Sequence, residues 1–287
     1  MKLADILVHV DQTDDASVRL RLACDLAKRH GSTLIALFVR EFTPAQLHKR
    51  AIAELGLASS RQVEGVDRQV QAFIDSVERR LQALLGAIEQ ESSVRTQWRS
   101  VDGPASAVVP QHARCADLCI VGHDGSTNED AIQYAFAERL LFVTGRPVLY
   151  VPASAGRDTL GRRIAVAWNS SRAATRALND AIPLLERADE TTILTANPED
   201  YIERHGAMPV AQMVEHLKRH GLSVEARRLQ NVPSNAIADV LQAEALTLGA
   251  DLLVAGAFGP PKFWEALVGG VTRDLLSRMR LPILMSH

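Results

Sequence analysis

This chain contains the same structural unit twice. The first half opens with Ile6-Leu7-Val8-His9-Val10-Asp11 and the second with Arg163-Ile164-Ala165-Val166-Ala167-Trp168-Asn169, each a short apolar run closed by a small polar residue. A helical pattern follows in each, Ser17–Arg29 and Arg172–Arg187, and then a strand-like run, Ser32–Val39 and Thr191–Ala196. Later segments match in the same order: Asp102–Val109 with Asn231–Ala238, Ala116–Gly122 with Ala250–Gly256, and Arg146–Val151 with Leu281–Ser286. Strands alternating with helices pair in parallel, because the crossover helix brings the chain back to start the next strand in the same direction. The expectation is therefore α/β, with two tandem doubly wound five-stranded parallel sheets in domains 1–152 and 162–287. The intervening Pro152–Gly161 is rich in Ser, Gly and Ala. The prolines at 104 and 233 are expected in the first turns of helices, where a missing N–H costs nothing.

The halves differ by an insertion in the first, from Glu41 to about Ser92. Its Arg68–Ile88 portion sets Val70, Phe73, Ile74, Val77, Leu81, Leu84 and Leu85 at helical spacing, whereas Ala51–Val66 reads as a loop.

A second feature concerns function. Asp251-Leu252-Leu253-Val254 reads as a buried strand, Arg273–Met279 as an amphipathic helix, and between them lie Gly256, Gly259, Gly269 and Gly270. Strand, glycine-bearing loop and helix N-terminus in that order suit an anion: glycines admit phosphate oxygens to the backbone, and free N–H groups at the helix start point at them. The spacing is neither Gly-x-x-x-x-Gly-Lys-Ser/Thr nor Gly-x-Gly-x-x-Gly, so a Walker loop and a dinucleotide fingerprint are both excluded.

Gly256-x-x-Gly259, nine residues and Gly269-Gly270 instead resemble the Gly-x-x-Gly-x9-Gly-(Ser/Thr) motif of the universal stress protein family, with Gly270 in the Ser/Thr place. Together with the repeat, the resemblance to a tandem universal stress protein covers nearly the whole chain. It implies the adenine nucleotide alpha hydrolase-like fold, with strands in order 3-2-1-4-5 and ligand at the carboxyl ends of strands 1 and 4. The implied ligand is ATP, or AMP or ADP, with Mg2+ accompanying the nucleotide. Phosphates would meet Gly256, Gly259, Gly269, Gly270, Val271 and Thr272, and the nucleoside would meet Asn169 and Ala196. The resemblance also implies that the halves pair through their fifth strands as an internal pseudo-dimer, with a homodimer of whole chains a further expectation.

In the first half, Asp11 and Val39 fall on the nucleoside positions and Gly122 and Gly125 on the first turn. Where the distal glycines should be stand Tyr134, Ala135 and Phe136. That half is expected to be degenerate for nucleotide. Trp168 is read as sheet packing ahead of base stacking.

Elsewhere the sequence excludes more than it assigns. Composition is 47% hydrophobic and 23% charged with a formal net charge of −2, and Lys and Arg are dispersed, which argues against a nucleic-acid partner. No apolar run reaches membrane length, Met1–Asp5 does not begin a signal peptide, and three cysteines fit a reducing cytoplasm. Cys115 and Cys119 are both expected to pack as small hydrophobes. His216 and His220 stand at i,i+4, but charged neighbours mark a solvated helix face; His205 lies nearby. No nucleophile elbow or metallohydrolase motif occurs. The function expected is a cytoplasmic stress-response protein that binds an adenine nucleotide in its second half as a sensor or partner-binding switch, with at most slow ATP hydrolysis. The alternative is a scaffold of the same fold that binds no nucleotide.

Overall fold

The two copies share one sheet. The structure, a computed structural model, describes residues 2–40, 60–123, 131–155, 160–197, 210–257 and 270–287, with side chains except at 60–67 and 131–135. In the first half come β1 (Asp5–Val10), α1 (Ala16–His30), β2 (Thr33–Arg40), α2 (Ser60–Ser92), β3 (Arg95–Asp102), α3 (Ala105–Ala113), β4 (Leu118–His123), α4 (Ala131–Val143) and β5 (Val148–Pro152). The second repeats the plan with β6 (Arg163–Ala167), α5 (Arg172–Leu185), β7 (Glu190–Ala196), α6 (Val210–Arg219), β8 (Val224–Leu229), α7 (Ile237–Thr247), β9 (Leu252–Gly256), α8 (Gly270–Ser277) and β10 (Ile283–Ser286).

Strand order is β3-β2-β1-β4-β5-β10-β9-β6-β7-β8, which is 3-2-1-4-5 from either end. Every pairing is parallel except the central one, where β5 and β10 run antiparallel with Leu149 opposite Leu284. These two leucines are equivalent in the repeat, so a local two-fold axis passes between them. The expected fifth-strand contact is thus present, and it merges the two five-stranded sheets into one of ten. Both hydrophobic cores run through both halves. One lies under α1, α2, α5 and α6, the other under α3, α4, α7 and α8.

A repeated aspartate fixes how each half begins. Asp117, just before β4, accepts from the N–H groups of Ala4 and Asp5 at 2.7 and 3.1 Å. Asp251, its equivalent before β9, accepts from Gly161, Arg162 and Arg163. Carboxylate bonds to backbone donors are the stronger kind, and they hold the first strand of each half beside the fourth. At the far ends, β3 and β8 are largely exposed and carry Arg95, Arg99, Arg227 and Arg228, charges that discourage pairing with another chain.

The insertion helix is longer than expected. α2 is described from Ser60, so 60–66 are helical and not loop; 41–59 lie outside the described residues. Ile74, Val77, Leu81 and Leu85 are buried at i, i+3, i+7 and i+11, but Phe73 points to solvent, 55% exposed, because it falls beside that stripe and not on it. Glu78 is buried on the same helix and is compensated by Arg40 and by Trp98, whose Nε1 donates to it at 3.2 Å. Pro104 caps α3, whereas Pro233 stands four residues ahead of α7, in the turn that precedes it. Among the described residues no helix is long and apolar enough to cross a membrane.

At the end of α1, His30 is buried near the junction of the halves. Burial, with the Arg187 and Arg29 guanidinium groups beside it, pushes its imidazole down to about 4. The folded state needs the neutral ring, whereas the unfolded chain takes up a proton near its ordinary pKa of about 6.5. The stabilisation is complete above pH 6.5 and is lost as pH falls towards 4. Urea unfolding from pH 7 to 4.5 should show stability falling across that window, and His30→Gln should reduce the fall, the remainder including the share of buried His9.

Candidate functional site

At the carboxyl ends of β6, β7 and β9 lies a cavity of about 320 Å3, within the range of small-molecule sites. Ala167, Leu194, Ala196 and Ala255 form its floor, Ile237 and Leu241 of α7 one wall, and Gly270, Val271, Thr272 and Leu275 of α8 another. Ser171, Ala173 and Ala174 bring the first turn of α5 to its rim. The cavity therefore combines an apolar interior with the first turn of α5 and the first described turn of α8, whose positive dipole ends favour an anion. None of the side chains lining it among the described residues is acidic, basic or imidazole.

The expected site residues that are described come together here. Asn169, Ala196, Gly256, Gly270, Val271 and Thr272 all line the cavity; Gly259 and Gly269 lie outside the described residues. Their roles differ in detail. Asn169 Oδ1 accepts from Ser171 N at 3.1 Å, and Ser171 Oγ caps α5 by accepting from Ala174 N at 3.1 Å. The Asn169 acceptor thus shapes the loop, leaving its amide donors for a ligand. Gly256 is glycine because α5 presses on it: a Cβ there would stand 2.5 Å from the Ala173 carbonyl carbon. Gly270 has no positive φ, and a Cβ on it would meet nothing within 4 Å. Thr272 is 5% exposed, so its side chain belongs more to the packing of α8 than to the surface. Trp168 is 4% exposed and packs in the core beneath α5, yet it also borders the cavity, with its Nε1 lacking a hydrogen-bond partner among the described residues.

At the corresponding place in the first half larger side chains stand among the described residues. In the strand register His9 is the equivalent of Ala167, and counting back from the fifth-strand prolines makes Phe136 the equivalent of Val271. The His9 and Phe136 rings meet edge-on at 6.1 Å. His9 is buried, and burial pushes its imidazole down to about 4, Asp11 opposing the shift and Arg19 adding to it. Asp11 is committed as well. Its Oδ2 pairs with Arg19 Nη2 at 2.8 Å and its Oδ1 accepts from Thr13 N at 3.1 Å. Burial alone would raise the Asp11 pKa, but Arg19, His9 and Thr13 hold it below the usual carboxylate range. Arg19 is 2% exposed, donates from Nε to His9 O at 2.8 Å and occupies the space beside Gly122. Eight residues after Asp11 stands Arg19; eight after Asn169 stands Ala177. Val39 is buried in the core, and Gly125 and the side chains of Tyr134 and Ala135 are outside the described residues.

Sequence reasoning missed His9 and Arg19. The signal for Arg19 was its place on the apolar stripe Ala16-Leu20-Ala23-Ala27 of α1, and for His9 its alignment on an alanine. The other candidate groups separate cleanly. Cys119 is buried and burial pushes its thiol up to about 12, but Cys115 is exposed, contrary to expectation, because α3 ends at Ala113 and leaves it in the turn. The His216 and His220 rings touch edge-on at 4.8 Å; His205 is outside the described residues. Among the described residues no group of three or more His, Cys, Asp or Glu is placed to hold a metal.

Comparison with known proteins agrees with this architecture. A sequence model of the universal stress protein family matches residues 3–152. No curated protein matches. A universal stress protein from Archaeoglobus fulgidus DSM 4304 is similar in structure, at 16% identity, with 99% of this chain and 96% of that one covered and a TM-score of 0.69. A proposed universal stress protein from Pseudomonas aeruginosa UCBPP-PA14 has 15% identity, 99% and 93% coverage and a TM-score of 0.57. A smaller universal stress protein crystallised with cAMP has 17% identity, covering 53% of this chain and 99% of its own, with a TM-score of 0.35. The fold is that of adenine nucleotide alpha hydrolase-like proteins.

The closeness of α5 to β9 carries an energetic consequence. Gly256→Ala sets a methyl against helix backbone, which cannot yield as a flexible side chain would. It should cost about 1–3 kcal/mol by overpacking, read as a lower urea midpoint. Gly270→Ala, with open space around it, should leave that midpoint within about 0.5 kcal/mol of wild type.

Proposed function

The chain belongs to the universal stress protein family, and on that footing we propose that its second half binds an adenine nucleotide, ATP ahead of AMP or ADP. The observation that carries this reading is the contrast between the halves: a cavity of about 320 Å3 beside the first turn of α5 and the described start of α8 in one, and His9, Phe136 and Arg19 in the corresponding place of the other. The base would lie over Ala167, Leu194 and Ala196 with Asn169 at the ribose. The phosphates would run towards Gly256, Gly259, Gly269, Gly270, Val271 and Thr272. Residues 1–152 and 162–287 would act as two domains, one a filled partner and one the binding unit. Mg2+ would ride on the phosphates, since no carboxylate lines the cavity among the described residues. For the same reason the site favours retention over hydrolysis, and its output is a change in shape or partner contact in the cytoplasm.

One observation favours the alternative of a scaffold without nucleotide. Asn169 spends its acceptor on Ser171, and Ala196 offers a base no polar side chain. The experiment is mass spectrometry of small molecules released on denaturing the purified protein, with calorimetry against ATP, AMP and cAMP. One adenine nucleotide per chain supports the proposal. Two per chain would contradict the filled first half, and no binding at all would favour the scaffold.

Affinity should also respond at Gly270. Its open surroundings and ordinary φ leave room for a serine, and one hydroxyl bonded to a charged phosphate is worth about 1.5 kcal/mol. Calorimetry of Gly270→Ser should show ATP bound about tenfold more tightly.

A further inference from the structure

The loops that lead from the first strand of each half into its first helix share one geometry and differ in polarity. In the first half Asp11 Oδ1 accepts from Thr13 N at 3.1 Å; in the second Asn169 Oδ1 accepts from Ser171 N at 3.1 Å. That shared bond fixes which atom of each side chain is left over. For Asp11 it is the acceptor Oδ2, which takes Arg19. For Asn169 it is the donor Nδ2, on an exposed side chain that borders the cavity. The backbone donor also orients the Asn169 amide, since only its oxygen can accept from Ser171 N.

The charge of the residues that follow is inverted too. Asp14 and Asp15 stand three and four places after Asp11; Arg172 and Ala173 stand three and four places after Asn169. Arg172, the first residue of α5, is exposed and has no ion-pair partner among the described residues. A cation there opposes the helix dipole, which a carboxylate would complement. Ser171 takes up the N–H groups of Ala174 and Thr175, leaving those of Arg172 and Ala173 without an acceptor among the described residues. Trp168, just before Asn169, is 4% exposed and borders the same cavity, and its Nε1–H is without an acceptor among the described residues. A buried donor left unpaired is the exception in a folded protein. The surroundings of Asn169 are thus donors and positive charge, where the first half has carboxylates.

We propose that the second half selects an adenine nucleotide that carries a further phosphate group, esterified to the ribose at its 2′ or 3′ oxygen, with Asn169 and Arg172 as the specificity-determining residues. The proposal rests on the nucleotide reading, which sets the sugar beside Asn169. A free ribose hydroxyl is indifferent, because it can donate to a carboxylate or accept from an amide. An esterified oxygen can only accept, so it fits Asn169 Nδ2 and not an aspartate. The phosphate adds negative charge, which the start of α5 and Arg172 favour and which no carboxylate lining the cavity repels among the described residues. At the equivalent place in the first half, Asp11, Asp14 and Asp15 would repel the same group.

Calorimetry of the full-length protein against AMP, adenosine 3′,5′-bisphosphate and adenosine 2′,5′-bisphosphate tests this. One of the bisphosphates should bind about tenfold more tightly than AMP, the gain of one hydrogen bond to a charged group, and which one does so identifies the esterified oxygen. Asn169→Asp can keep the bond to Ser171 N, as Asp11 keeps its own to Thr13 N, and should reverse the order, with AMP bound more tightly than either bisphosphate. Arg172→Gln should lower the wild-type preference about threefold, the share of an exposed charge pair. A role confined to the shape of the loop would weaken all three ligands together and leave their ratios unchanged. Equal binding of AMP and both bisphosphates by wild type, or a preference that survives Asn169→Asp, overturns the selection and leaves the nucleotide reading standing. If Asn169→Asp does not fold, an unchanged preference in Arg172→Gln overturns it. Wild type that binds none of the three, nor ATP, overturns both.

Discussion

The contact on which the molecule depends is the antiparallel pairing of β5 with β10. It is short, with Leu149, Leu284 and their neighbours wholly buried. Without it each half would present an apolar edge strand, and both hydrophobic cores would end at an open face. With it the cores run unbroken across the local two-fold axis, and the exposed edges are displaced to β3 and β8, where arginines line them. It also sets the geometry of function, because antiparallel pairing sends the two sets of strand ends to opposite edges and obliges α4 and α8 to cross between them.

Much of this was legible in the sequence, for physical reasons. Buried parallel strands are continuous apolar runs, so β1, β2, β4 and their counterparts stand out, and a twice-occurring pattern leaves few topologies. The fifth-strand pairing and the 3-2-1-4-5 order came instead from the resemblance to universal stress proteins. Less legible was anything decided by neighbours distant in sequence. Phe73 sits within the apolar pattern of α2 yet faces water, since periodicity cannot tell a stripe's centre from its margin. Cys115 reads as core until the end of α3 is located. Pro233 reads as a helix opener until a turn is found in between.

The site shows the same division. Asn169, Ala196, Gly256, Gly270, Val271 and Thr272 were named as a group by the resemblance to universal stress proteins, at the strand ends where a doubly wound sheet places a ligand. Their individual duties were not. Gly256 is required by the approach of α5, and Asn169 spends one hydrogen bond on the loop that carries it. The filling of the first half depends on His9, Arg19 and Phe136 meeting from three separate elements, and no local motif announces that. Buried Arg19 is tolerated because Asp11 and the His9 carbonyl together satisfy its guanidinium.

Covalent linkage of the halves, finally, changes how such an assembly behaves on dilution. Two identical subunits joined through one strand would separate as concentration fell, and each would carry the same residue at every position of its site. Here the join is intramolecular, so its strength is set by an effective concentration fixed by the connection between Pro152 and Arg163 and not by abundance. Release from the demands of symmetry then lets one copy hold a histidine where the other holds an alanine. The pair responds as a single unit however scarce the protein becomes.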